Sequence, residues 1–185
     1  MRNVILILIL TLSAQLTFAQ DTTLKVGDKV ENVEIRDSKN KPVVLPSFGE
    51  KNLLIFYADP DKPDKNKYFI DQLEALKLPK DIDFFCFGIV NLKDTALPNG
   101  LVRWAVRIKE RAYKEQKPTI LTDPKHILKK AWNLGDVNNC MTMILIDKSG
   151  EILYYQAEEL NREQSDHLIG IITEITGHEQ RIAKK

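Results

Sequence analysis

The stretch NLLIFYADPDKPDKNKYFIDQL, Asn52 to Leu73, decides the fold. Leu53, Leu54, Ile55, Phe56 and Tyr57 form an unbroken apolar run, the pattern of a strand covered on both faces. Ala58 to Lys65 is polar and carries Pro60 and Pro63, so the chain must leave the strand there in a loop. Beyond it Phe69, Ile70, Leu73 and Leu76 recur at helical spacing, with Lys67, Asp71, Gln72 and Glu74 on the other face.

Working outward, Lys77-Leu78-Pro79 ends that helix and DFFCFGIV, Asp83 to Val90, is a second apolar strand. One helix separates the two runs, which suits a parallel crossover. On the N-terminal side, extended segments around Val30 to Ile35 and Pro42 to Leu45 flank the turn-rich Asp37-Ser38-Lys39-Asn40 and predict a hairpin. On the C-terminal side, Leu101 to Lys114 reads as a helix, Thr119 to Leu121 as a short strand, and Asp123-Pro124 as the cap of a short helix ending at Trp132. Met141 to Asp147 and Glu151 to Gln156 make an antiparallel pair around Lys148-Ser149-Gly150. Asn161, with Gln164 at the reciprocal capping position, opens a last helix whose stripe is Leu168, Ile171, Ile172 and Ile175, and Gly177 stops it. The order predicts an α/β fold: a mixed sheet flanked by helices, with an N-terminal hairpin extension.

The chain has 185 residues, one ordinary domain's length. MRNVILILILTLSAQLTFAQ reads as a secretory signal: Arg2, an apolar region of Val4 to Leu10 with Leu12 and Leu16, then the small-x-small site Thr17-Phe18-Ala19. The apolar run is shorter than the ~20 residues of a spanning helix. The expected organisation is a signal over 1–19, one domain over 20–178 and a loose tail over 179–185. Loss of Arg2 with the signal leaves equal numbers of basic and acidic side chains, so nothing asks for nucleic acid. Export, most simply to the periplasm, follows from the leader.

Candidate chemistry is sparse. Cys86 and Cys140 are too far apart in sequence to form a redox motif. Cys86, among Phe84, Phe85 and Phe87, reads as a buried small hydrophobe, and Cys140 is a weak candidate for a reactive thiol. Asp59, Asp61, Asp64 and Asn66 alternate like calcium ligands but lack the glycine and distal glutamate of a calcium loop, so helix capping explains them better. Arg103, Arg107, Arg111 and Lys114 form a basic stripe on one helix, ordinarily a solvated face. His126, His167 and His178 show no ligand spacing, and no phosphate loop or hydrolase motif occurs, so no metal or cofactor is implied.

Several landmarks resemble the exported members of the thioredoxin-like superfamily: Val26-Gly27-Asp28-Lys29-Val30, Phe56-Tyr57-Ala58, and Ile144-Leu145-Ile146-Asp147 with Gly150. More specifically the chain resembles the YtfJ family, exported thioredoxin-fold proteins of uncharacterised function. Lys65-Asn66, Lys77-Leu78-Pro79, Ile89-Val90-Asn91, Pro98 with Gly100, Val102-Arg103 and Ala131-Trp132-Asn133-Leu134 carry that likeness across nearly all of the chain beyond the leader. The superfamily's redox members place a Cys-x-x-Cys where the loop meets the first helix, whose N-terminus lowers the thiol pKa. In register with Tyr57-Ala58 those places hold Asp61 and Asp64. The superfamily's cis-proline position aligns with Met141, where a trans peptide is expected because a non-proline cis bond costs ~3 kcal/mol.

With both parts of the redox site replaced, oxidoreductase activity does not carry over. The expectation is a non-catalytic binding or accessory protein of the cell envelope, with an unidentified envelope protein as partner. Its recognition surface would be Ala58, Asp59, Asp61, Asp64 and Lys65 with Cys140 and Met141. The alternative is a peroxidase or thiol-exchange enzyme working through Cys140 alone.

Overall fold

A computed structural model of the chain describes residues 23–62, 65–78, 82–112 and 119–178. The signal, the tail, Asp64 and Lys114 lie outside the described residues. The elements run β1 (Glu34–Arg36), β2 (Pro42–Val44), β3 (Asn52–Ala58), α1 (Lys67–Ala75), β4 (Phe84–Asn91) and α2 (Asn99–Ala112). They continue with β5 (Ile120–Asp123), α3 (Ile127–Ala131), β6 (Met141–Ile146), β7 (Ile152–Gln156) and α4 (Arg162–Thr176).

The strands make one mixed sheet in the order β2-β1-β5-β4-β3-β6-β7. β3 is parallel to β4, and β4 to β5, while β6 runs antiparallel to β3. The quoted stretch lies at the heart of this arrangement, and its apolar run serves both faces. Leu53, Ile55 and Tyr57 enter one core with Ile35, Leu128, Trp132 and Leu134. Leu54, with Phe56 packed beside it, enters the other with Phe69, Met143, Leu168 and Ile172. Each such side chain contributes about 1.5–3 kcal/mol by leaving water.

Local signals at the C-terminal end hold as read. Asn161 Oδ1 accepts the Gln164 N–H and Gln164 Oε1 accepts the Asn161 N–H, a complete capping box, and Gly177 closes α4 at φ 61°. Gly150 is required by contact as well as by its φ of 82°, since a Cβ there would stand 2.6 Å from the Val30 carbonyl. That approach lets the segment before β1 lie along the β6–β7 turn, where the Val30 N–H donates to the Gly150 carbonyl at 2.9 Å.

Three expectations are corrected. Cys86 is exposed, because β4 turns alternate residues to alternate faces and the layer over Phe84 does not extend over Cys86. Asp61 does not cap α1: that helix starts at Lys67 behind Asn66, a left-handed residue whose side chain caps nothing, and has no acid in its first turn. Asp123 does cap α3, but from further back than the Pro124 signal implies. The helix begins at Ile127, and the Asp123 carboxylate reaches forward to the Ile127 and Leu128 N–H groups at 2.7 and 3.0 Å. The Cys140–Met141 bond is trans, as expected, since the described residues contain no cis peptide. Both cysteines are free.

Candidate functional site

The carboxyl ends of parallel β3, β4 and β5 open on the same edge of the sheet, the place where α/β folds put ligand sites. β6 begins there too, with Met141 opposite Ala58. The candidate surface residues Ala58, Asp59, Asp61, Lys65, Cys140 and Met141 therefore do converge, but two of them are not surface: Met141 is packed into the core beneath the edge, and Asp59 is internal, as is Asn66 beside it.

Asp59 is 1% exposed. Its Oδ1 accepts the Asp61 N–H at 2.8 Å, its Oδ2 accepts the Asn139 N–H at 2.8 Å, and its own N–H donates to the Cys140 carbonyl at 2.9 Å. The β3–α1 loop is thereby tied to the segment leading into β6. Asn66 is equally buried, held at φ 61°, which Asn tolerates better than most residues. Its Nδ2 donates to the Met141 carbonyl at 2.9 Å and its Oδ1 accepts the Leu160 N–H at 2.7 Å, joining α1, β6 and the approach to α4. The calcium reading fails on this geometry. The oxygens of Asp59 and Asn66 point to backbone partners in different directions instead of toward a common centre.

What the edge shows to solvent is Asp61, held by the Thr95 hydroxyl at 3.0 Å, together with Lys65 and part of Cys140. Lys65 lies 3.8 Å from Glu159. The Cys140 thiol donates to the Asn138 carbonyl at 3.2 Å. Burial pushes its pKa up, Asp136, Glu158 and Asp59 push the same way, and Lys65 offsets only part of this. The neighbouring Tyr155 phenol is pushed up to about 12 by burial and by Cys140.

Sequence reasoning missed a second polar group on the same edge. Asp94 receives Asn91 Nδ2 at 2.6 Å, lies 3.0 Å from His126 Nε2 and is 3.6 Å from Lys129. The His126 approach is close but poorly aligned for a hydrogen bond. Burial alone would raise the Asp94 pKa; the Asn91 bond and the charges of His126 and Lys129 outweigh it and hold the carboxyl below its ordinary value. Behind it the buried Tyr57 hydroxyl donates to Asp123 Oδ2 at 3.2 Å, and burial with the Asp123 charge drives the Tyr57 pKa far upward. The only signal for this group is topological: Asn91 and Asp123 end neighbouring parallel strands and lie side by side in the register.

The basic stripe is not a solvated face. Arg103 and Arg107 are half-buried, with Arg107 donating Nη1 to the Ser38 carbonyl at 2.9 Å, and of the three described members Arg111 is exposed. Among the described residues no group of His, Cys, Asp and Glu is placed to hold a metal ion, and no helix is long and apolar enough to cross a membrane.

This sheet order, with an antiparallel β6–β7 pair and a closing α4, is thioredoxin-like, and the solved structures agree. The chain superposes on a peroxiredoxin-like protein from Aquifex aeolicus with a TM-score of 0.56 at 15% identity, over 83% of this chain and 88% of that one. For the thioredoxin domain of a thiol-disulfide oxidoreductase from Bacteroides vulgatus the values are 0.55, 16%, 81% and 99%. For the exposed lipoprotein thioredoxin of Streptococcus pneumoniae they are 0.52, 14%, 78% and 99%. At these identities the likeness is one of fold. Within that fold the chain belongs to the family described as bacterial protein of unknown function YtfJ_HI0045, whose model matches residues 59–175. No curated protein matches it.

Proposed function

We propose that the chain is a non-catalytic binding or accessory protein of the cell envelope, exported by the leader over 1–19, and that it meets its partner through Asp61, Lys65 and the part of Cys140 that reaches solvent. The observation that carries this reading is the Asp59 carboxylate. It takes backbone N–H groups from both sides of the edge, so the loop that in a redox relative would present a dithiol is here fixed as a scaffold. A Cys140 thiol held toward its neutral form is a poor nucleophile, which weighs against the single-thiol enzyme.

The test is photo-cross-linking in cells from a probe at Lys65, with Asp61→Lys as the control. One protein captured by the wild type and lost in the control supports the reading. Equal capture in both overturns this surface. A peroxide- or disulfide-dependent phenotype abolished by Cys140→Ser would overturn the non-catalytic assignment.

A further inference from the structure

α2 carries an exposed apolar ridge and, beside it, a column of arginines without ion pairs among the described residues. Leu97, Leu101, Trp104 and Ile108 follow one another at intervals of four, three and four, and all are exposed, Trp104 by 55%. The helix buries Val102 and Val106, which lie on the far side of its axis, so the apolar line points straight out from the protein. An outward Leu-Trp-Ile ridge is the reverse of what a solvated surface helix carries.

Beside this ridge stand arginines without carboxylates. Arg36, Arg103, Arg107 and Arg111 form no ion pair among the described residues. Arg103 Nε is buried without a hydrogen-bond partner. Burial first, then repulsion from Arg36 and Arg107, makes its guanidinium less ready to keep its proton than usual, and the Asp37 charge offsets only part of this. The nearby acids are engaged: Asp37 Oδ1 accepts the Lys39 and Lys41 N–H groups, and Glu110 accepts the Ser38 hydroxyl at 2.8 Å.

Charge decides what covers the ridge. Glu110 is the one acid in α2, so two copies packed ridge to ridge with antiparallel helices would set each arginine column against its mate, and parallel copies would set it against the Ala105, Lys109 and Ala112 flank, which has no acid either. A convex apolar ridge with an aromatic at its centre and cations alongside is instead the pattern of a helix lying in a lipid interface. We propose that α2 docks the protein on an anionic lipid surface, with Leu101, Trp104 and Ile108 among the headgroups and Arg107 and Arg111 on lipid phosphates, backed by Arg103 and Arg36. This surface does not use Asp61, so it stands or falls separately from the function proposed above.

The test uses the full chain and vesicles of brominated phosphatidylcholine, with and without phosphatidylglycerol in equal parts. Of the two tryptophans, Trp132 is 3% exposed, so quenching by brominated lipid reads Trp104. The expected result is quenching and a blue shift that require phosphatidylglycerol and weaken with salt. Each surface cation is worth about fivefold in lipid affinity, so Arg107→Gln with Arg111→Gln should raise the lipid needed for half-quenching roughly 25-fold. Leu101→Ser with Ile108→Ser should abolish quenching while the thermal transition stays in place. Unquenched Trp104, or quenching equal on phosphatidylcholine and indifferent to the arginine changes, overturns the proposal. The second result would assign vesicle binding to the apolar run over 4–16. Self-association lost in the Leu101→Ser, Ile108→Ser variant, with no lipid effect, would make the ridge a contact between copies and overturn it equally.

Discussion

At the edge where β3 and β6 meet, Asp59 and Asn66 are almost wholly buried, and every polar atom of their side chains faces a backbone partner. On α2 the reverse holds: Arg103 buries an Nε that meets nothing, and Trp104 stands more than half exposed. Buried polar groups are normally satisfied, so the first region is closed by its own side chains, while α2 leaves one buried donor and an apolar ridge that the chain itself does not match. Both are charge-rich in the sequence, and charge content alone does not separate an internal strut from an external surface.

The largest effect should come from Asn66→Ala. It leaves the Met141 carbonyl and the Leu160 N–H without their partner and puts an alanine at φ 61°. Two orphaned groups and left-handed backbone strain together should cost about 3–5 kcal/mol in denaturant unfolding. Asn66→Gly removes the strain and keeps the orphans, so it should cost about 1 kcal/mol less. A loss below about 1 kcal/mol in Asn66→Ala would break the comparison, because water would then serve the edge as well as Asn66 does.

Asp59→Ala comes next. Two N–H groups lose a charged acceptor, but the Asp61 and Asn139 backbones lie on loops that water can reach. About 2–3 kcal/mol is expected, with Asp59→Asn between that value and wild type because it keeps one acceptor oxygen. Tyr57→Phe should cost about 1 kcal/mol, removing one neutral donor from Asp123 while that carboxylate keeps both helix N–H groups.

These residues also mark how far the sequence could be read. The strands, the crossover and the capping box of α4 were legible because their signals are local: an apolar run, a helical period, an Asn and a Gln three residues apart. Asn66 was visible as a family landmark with Lys65 and as one of several polar residues near a helix start, but its bracing role was not, since its partners lie 75 and 94 residues away. Asp94 and His126 meet only because β4 and β5 are parallel neighbours that end together. The exposure of Cys86 was misread for a related reason. Its apolar neighbours in sequence alternate across the sheet, and which face a helix layer covers is a matter of tertiary packing.

The smallest effects, and the sharpest test of whether the edge is closed to chemistry, lie in the thiols. Cys86 is open at the surface, yet its sulfur sits low among neighbours that desolvate the thiolate and raise its pKa. Exposure decides whether a reagent can arrive, and desolvation decides how much thiolate it meets. Cys140 is raised as well, by burial before charge. A raised pKa lowers the thiolate fraction at pH 7, so both should alkylate with iodoacetamide more slowly than an ordinary thiol of pKa ~8.5, with rates still climbing above that pH. Lys65→Gln should slow Cys140 further, and Asp136→Asn should speed it. Each change should stay within about fivefold, because charges this near solvent are worth ~1 kcal/mol or less. Mass-resolved alkylation rates give both numbers in one experiment. A Cys140 faster than free cysteine at pH 7 would mean that the edge presents a usable thiolate after all, and its contrast with α2 would then be one between two functional surfaces.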